Sequence, residues 1–212
     1  MDRIVVYDAE FLTAPGAPQR FWCGPSDPDP LTIQIGAAAL DLNNLTISPA
    51  ENWYVRPVDR DGHTVAVDPL VTRLTGISDA ELAQHGVPLP EALGGLRDFA
   101  GGVPILAWGK DELLTFAASL FVQDILSPIP AAQFRTAVPL LVAAGEPEEV
   151  VQTLRSHTIC AHFDLPQPGP AHDARGDAMA VAHVLRHLLQ THRLDVADIQ
   201  ALCYPNTAPR QS

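Results

Sequence analysis

The first apolar segment of the chain, RIVVYDAEF at residues 3–11, most constrains the fold, because it is a β-strand pattern that ends in two acids. Alternate side chains of a strand face the same side, so Ile4, Val6, Asp8 and Glu10 share one face. Two carboxylates this close repel each other when partly buried, and a divalent metal between them is the usual solution. Taken alone, the pair also fits a strand end that reaches solvent, where the two acids are harmless.

The composition predicts one globular α/β domain. The chain has 212 residues, of which 47% are hydrophobic and 18% charged, enough for one sizeable core. We expect a single domain over 1–203 and a loose, Pro-containing tail over 204–212. The charged start and the absence of a long apolar run predict a cytoplasmic protein with no membrane partner.

The net charge of -12 argues against a broad phosphate-binding surface of the kind that holds duplex nucleic acid non-specifically. It does not exclude a nucleic-acid substrate, because bound divalent cations invert the local charge of an acidic site. A short or single-stranded substrate can then be held through the metals and a few aromatic contacts.

The order of the predicted elements favours a sheet with flanking helices. Strands are expected over 3–8, 32–40, 52–58 and 103–108, the first three consecutive and antiparallel. Helices are predicted from near Asp79 behind the capping residue Ser78, and over 89–100, 111–123, 138–145, 148–163 and 173–190, with a short one in DVADIQALC. Between the first two strands lies a Pro- and Gly-rich loop over 11–30, which would overhang the paired acids as a lid or as a packing element.

The segment HDARGDA near the C-terminus places a second acidic group on an apolar helix face. Asp177 lies in the stripe that faces the core, where an unpaired carboxylate is costly. If Asp173 is the N-cap, His172 precedes the helix and can turn back toward Asp177. The alternative is that Asp177 pairs with Arg175 or Arg186.

A third acid, Asp111, follows a buried strand, which is where α/β proteins usually build their sites. Oxygen ligands favour Mg²⁺ or Mn²⁺, and two such ions can clamp a phosphodiester while a histidine accepts a proton from water. Four further histidines lie in predicted helices without companion ligands at zinc spacing, so no zinc site is expected; they are His157, His162, His183 and His187.

Together, the motifs Asp8-x-Glu10, Asp111 and His172-x4-Asp177 resemble the three exonuclease motifs of the DEDDh 3′-5′ exonucleases, a branch of the RNase H-like fold that includes oligoribonuclease and RNase T. VTRLTGIS at 71–78 is further similar to a segment of the Eri-1-like subgroup. The resemblance implies a mixed five-stranded sheet and two-metal removal of nucleotides from a 3′ end. It also implies metal ligands at Asp8, Glu10, Asp111 and Asp177, with His172 as general base.

The nature of the substrate stays open at this point. Phe11, Leu12 and Trp22 are the predicted substrate-binding residues, since aromatic side chains stack on bases, although packing of the long loop is an equal alternative. DNA and RNA are not distinguished, nor are a monomer and a homodimer. Two other functions fit the same motifs: hydrolysis of dinucleotides or short oligonucleotides, and a nucleic-acid-binding regulatory module without turnover.

Overall fold

A mixed sheet of five strands is the centre of the computed structural model, which describes residues 2–204. The strands are β1 (Arg3–Phe11), β2 (Thr32–Asp41), β3 (Glu51–Tyr54), β4 (Ile105–Ala107) and β5 (Phe134–Thr136). Their order is β3-β2-β1-β4-β5, with β2 antiparallel to both β1 and β3, and β4 and β5 parallel to β1. The predicted α/β fold with a five-stranded mixed sheet is confirmed, and the acid-bearing strand is the central one.

Nine helices connect and cover the strands within the described residues. They are α1 (Pro69–Thr75), α2 (Asp79–His85), α3 (Leu89–Ala100), α4 (Asp111–Val122), α5 (Val138–Ala143), α6 (Glu148–Val151), α7 (Ile159–His162), α8 (Ala174–Gln190) and α9 (Val196–Cys203). The cap of α2 is the predicted one, since the Ser78 side chain accepts a hydrogen bond from the Glu81 N–H.

The alternation of β1 divides the core between the two faces of the sheet. Val5 and Tyr7 pack with α3 and with Phe116 of α4 on one face. Ile4 and Val6 pack with α8 and α5 on the other. Because Asp8 and Glu10 continue the Ile4 and Val6 row, their side chains face the α8 side of the sheet.

The predicted helix over 148–163 is broken, which is the largest difference between the expected and observed elements. α6 ends at Val151 and α7 begins at Ile159. In the break, the carbonyl of Leu154 accepts a hydrogen bond from Trp108 Nε1 at 3.2 Å, and the Leu154 side chain is buried in the core. Tertiary contacts thus replace the hydrogen bonds of a continuous helix here, and the segment 152–158 turns toward the end of β1.

Two short elements, α1 and β5, were absent from the predicted set. Asp68 caps α1, with Pro69 as its first residue, a start signal followed by only two turns. β5 has three residues, too few for a periodic pattern, and is defined by its pairing with β4. The predicted tail over 204–212 lies outside the described residues except for Tyr204. Over the described part of the chain, no helix is both long and apolar enough to cross a membrane.

Candidate active site

Three of the predicted acids converge where β1 meets α8. Asp8, Glu10 and Asp177 each offer a carboxylate oxygen, and these oxygens all lie within 4.8 Å of one another. Their side chains are buried, with relative exposures of 6%, 9% and 1%. β1 supplies the first two by its alternation and α8 supplies the third from its first turn.

The start of α8 is held against β2 by a close approach and a hydrogen-bond network. A Cβ built on Gly36 would lie 2.2 Å from the backbone carbon of Ala174, so only glycine allows this contact. Gln34, buried beside it, donates from Nε2 to Asp173 Oδ1 at 3.1 Å and accepts at Oε1 from the Ala174 N–H at 3.1 Å. Because Gln34 pairs with Glu10 across the strands, the same contacts set the position of Asp177 relative to β1.

Asp111 is not brought to this cluster; the adjacent Glu112 is. Asp111 is exposed at the start of α4, whereas Glu112 is 8% exposed and its carboxyl lies close enough to Asp8 to raise the pKa of that aspartate. Consecutive residues of a helix point about 100° apart, so only one of the two can face the sheet. As a metal ligand Asp111 stays a prediction, and the geometry favours Glu112 in its place. The sequence signal for Glu112 was its adjacency to Asp111 and no more.

The four buried carboxyls have no cationic partner in the described part of the chain, as none of its ion pairs includes them. Burial raises the pKa of Glu10 to about 8 and that of Asp177 to about 7, with repulsion from neighbouring carboxylates adding to the effect. Burial, followed by Glu112, Glu10 and Asp177, also raises the pKa of Asp8. Oδ1 of Asp177 and Oε2 of Glu112 are buried and accept no hydrogen bond. A group of buried carboxyls without cationic partners is suited to bind cations.

The pairing of Asp177 with an arginine, the alternative reading of HDARGDA, is not observed. Arg175 Nη2 instead pairs with Asp173 Oδ2 at 2.9 Å, and Asp173 caps α8 as predicted. His172 lies just outside the helix with a positive φ of 59°, and its backbone N–H lowers the pKa of the Asp177 carboxyl. A ring nitrogen of His172 lies within 4.8 Å of a carboxylate oxygen of Asp177. The sharp turn of the chain at His172 therefore brings the histidine back to the acid, as the sequence predicted.

The broken segment 152–158 adds two residues that sequence reasoning did not place at the site. Ser156 lies beside Asp8 and Asp177, and its hydroxyl lowers the pKa of both carboxyls. The ring of His157 packs against that of His172, with centroids 4.5 Å apart and planes inclined by 39°. His157 was expected to lie in a helix without companion ligands, and that expectation was wrong, since the helix breaks here. No local sequence pattern predicts this break in the helix, because Trp108 and the core impose it.

An open pocket of about 680 Å³ gives access to the cluster. Asp8, Glu10, Asp177 and His172 line it, together with the acids at the start of α4. The lysines and arginines on its wall are Lys110 and Arg155. A ligand that enters this pocket meets a carboxylate floor with few cations around it.

The three predicted substrate-binding residues differ in their placement. Phe11 lines the pocket, and Trp22 packs edge-on against it with ring centroids 5.5 Å apart. Leu12 is buried at 2% exposure in a cluster with Leu31 and Ile33, away from the pocket wall. Their role in binding substrate stays a prediction, and of the three only Phe11 is placed to contact a ligand in this pocket.

Comparison with solved structures gives close likenesses in fold, while no family model and no curated protein matches the sequence. The nuclease domain of 3′hExo, described as a DEDDh family member bound to rAMP, superposes with a TM-score of 0.72 at 16% identity, over 91% of this chain and 94% of that one. Cell-death related nuclease 4 (CRN-4) gives a TM-score of 0.69 at 19% identity, over 90% of this chain and 64% of that one.

A more distant likeness is to E. coli exonuclease I in complex with a dA16 oligonucleotide, with a TM-score of 0.58 at 17% identity. The match covers 90% of this chain and 41% of that one. At 16 to 19% identity, these likenesses establish the fold. The chain shares the fold of these nuclease structures, a mixed five-stranded sheet flanked by helices.

Proposed function

We propose that this protein is a metal-dependent 3′-5′ exonuclease that removes nucleotides from the 3′ end of single-stranded RNA or DNA. The observation that carries the proposal is the group of four buried carboxyls on the floor of an open pocket beside a histidine, none of which forms an ion pair within the described part of the chain. The same fold in 3′hExo, CRN-4 and exonuclease I supports a phosphodiester substrate.

Asp8, Glu10, Glu112 and Asp177 are the proposed ligands of two divalent ions. Their donor atoms are all carboxylate oxygens, a set that suits Mg²⁺ and Mn²⁺. The unpartnered oxygens of Asp177 and Glu112 fit this role, because each is buried and lacks a donor. Such ions, when bound, lower the pKa of a coordinated water and stabilise the leaving 3′ oxygen.

The chain itself supplies proton transfer and substrate placement. His172 accepts a proton from the attacking water, as a histidine does near neutral pH. A ring nitrogen of His172 lies within 4.8 Å of a carboxylate oxygen of Asp177, so the imidazole lies beside the proposed metal ligands. Phe11 forms an aromatic wall of the pocket and can stack on the terminal base, while Lys110 and Arg155 can attract a phosphate.

The test is shortening of a 5′-labelled single-stranded oligonucleotide by purified protein with Mg²⁺ or Mn²⁺. A ladder of products that retain the 5′ label is expected, and Asp8→Asn should lower the rate by at least about 100-fold because a metal ligand is lost. Asp2→Asn, an exposed aspartate near the start of the same strand, is the matched control. Full activity in Asp8→Asn would refute the proposal. Matched ribo- and deoxyribo-oligonucleotides distinguish RNA from DNA.

A second candidate, hydrolysis of dinucleotides or very short oligonucleotides, is favoured by the charge distribution. The net charge is -12, and the pocket wall carries two basic residues, Lys110 and Arg155. A long strand would leave most of its phosphates against an acidic surface. We therefore compare kcat/KM for a dinucleotide and a long oligonucleotide, and a strong preference for the dinucleotide would favour this candidate.

A further inference from the structure

His157 is half-buried at the candidate active site, and the proposed reaction gives this histidine no role. It lies in the break between α6 and α7, and its ring packs against that of His172. The ligand atoms of His157, His172 and Asp177 all lie within 4.8 Å of one another. We propose that these three residues form a zinc site that overlaps the proposed Mg²⁺ or Mn²⁺ site and that zinc bound there blocks the reaction.

The ligand atoms of this site differ in kind from those of the carboxylate cluster. Two imidazoles and one carboxylate are ligands that Zn²⁺ prefers, whereas Mg²⁺ prefers oxygen and retains its waters. Three protein ligands leave one coordination position of a tetrahedral zinc for water. All three residues line the open pocket, so that position can face solvent.

Asp177, which the two sites share, has an oxygen that can receive a cation. It is 1% exposed, and its Oδ1 has no hydrogen-bond partner. An unsatisfied buried carboxylate oxygen is costly, and coordination of a cation removes that cost.

The local charge also favours a cation. Arg155 lies two residues before His157 and opposes binding, but its guanidinium is turned to the carbonyls of Gln152 and Leu154. The carboxyls of Asp8, Glu10 and Asp177 outnumber the two basic residues on the pocket wall, Lys110 and Arg155.

Zinc at this position would be incompatible with turnover, a consequence that rests on the proposed function. The imidazole nitrogen of His172 cannot bind zinc and accept a proton from water at the same time. Asp177 would likewise be withdrawn from its role as a ligand of the catalytic ions. The existence of the site itself does not depend on the protein being a nuclease.

Zinc affinity is measured on the metal-free full-length chain by competition with a chromophoric chelator. His157→Phe keeps an aromatic ring against His172 but removes the ligand atom, and should weaken zinc binding by at least about tenfold. His183→Phe, a half-buried histidine of α8 outside the pocket, is the matched control and should bind like the wild type. Asp8→Asn, which removes an acid outside the three-residue set, should also retain zinc.

The inhibition is measured as the zinc concentration that halves each variant's own Mn²⁺-dependent rate. That concentration should rise in His157→Phe by the same factor as the dissociation constant. If His157→Phe fails to fold by circular dichroism, His157→Gln replaces it in both measurements. Substituted Co²⁺ should show the visible absorption of an imidazole-bound ion in the wild type and lose it in the variant.

A wild-type chain that binds no zinc, or a His157 variant that binds it equally well, would overturn the proposal. Loss of zinc in Asp8→Asn but not in the His157 variant would place the ion on the acids and overturn it too. Zinc binding that depends on His157, in a protein without nuclease activity, would instead refute the proposed function and leave the site standing.

Discussion

Replacing Glu10 with glutamine should stabilise the metal-free protein at high pH while removing a proposed metal ligand. Glu10 is 9% exposed, and burial, Asp177, Asp173 and Glu112 raise its pKa from 4.5 to about 8. The folded chain therefore holds the proton of Glu10 more tightly than the unfolded chain does. The stabilisation that protonated Glu10 gives the folded chain is fully present below the pKa of Glu10 in the unfolded chain, about 4.5. It is lost as the pH rises through the folded-state pKa of about 8.

The size of the effect follows from the two pKa values. Relative to the fully protonated group at low pH, ionisation of Glu10 lowers the free energy of unfolding by about 4 kcal/mol at pH 8 and by about 1 kcal/mol at pH 5. The glutamine amide does not titrate, and as an incompletely satisfied buried group it costs about 2 kcal/mol at either pH. Glu10→Gln is therefore expected to be more stable than the wild type by about 2 kcal/mol at pH 8 and to lose that advantage by pH 5.

The assay is urea denaturation in EDTA at pH 5, 6, 7 and 8, followed by circular dichroism. Glu51→Gln, an exposed glutamate of the edge strand β3, is the control and should show no such pH-dependent gain. Addition of Mn²⁺ at pH 8 should invert the order, because binding stabilises the wild type and not the variant. A Glu10→Gln protein that is no more stable at pH 8 than at pH 5, relative to the wild type, would refute the reasoning.

Three further predictions concern the ligand set, the helix contact and the histidine. Glu112→Gln should lower Mn²⁺-dependent hydrolysis by at least about 100-fold, whereas Asp111→Asn should change it only a few-fold, and the reverse order would restore Asp111 as the ligand. Gly36→Ala should cost about 3 kcal/mol or more in chemical denaturation, because its Cβ would collide with the backbone of α8. Gly94→Ala, with open space around its Cβ inside α3, should instead stabilise by about 1 kcal/mol, so equal effects of the two would contradict the contact. His172→Gln should lower kcat by about 100-fold or more at neutral pH while Mn²⁺ affinity, measured by calorimetry, changes little, and an unchanged kcat would exclude this residue as the base.

The sequence by itself determined the first strand, the position of its two acids and the Asp173 cap that leaves His172 before the helix. These features are local: a strand alternates with period two, and an N-cap acid starts a helix within a few residues. Asp8, Glu10, Asp177 and the Asp173 cap were therefore identifiable before any contact was known.

Only the tertiary structure decided which acid of α4 faces the site and where the helix after α6 breaks. Asp111 and Glu112 are adjacent and chemically equivalent, and their roles depend on the rotation of α4 against β1. The break at 152–158 depends on Trp108 and the core, which lie far away in the chain. Because these are long-range packing choices, no local pattern could have placed Ser156 and His157 beside Asp177.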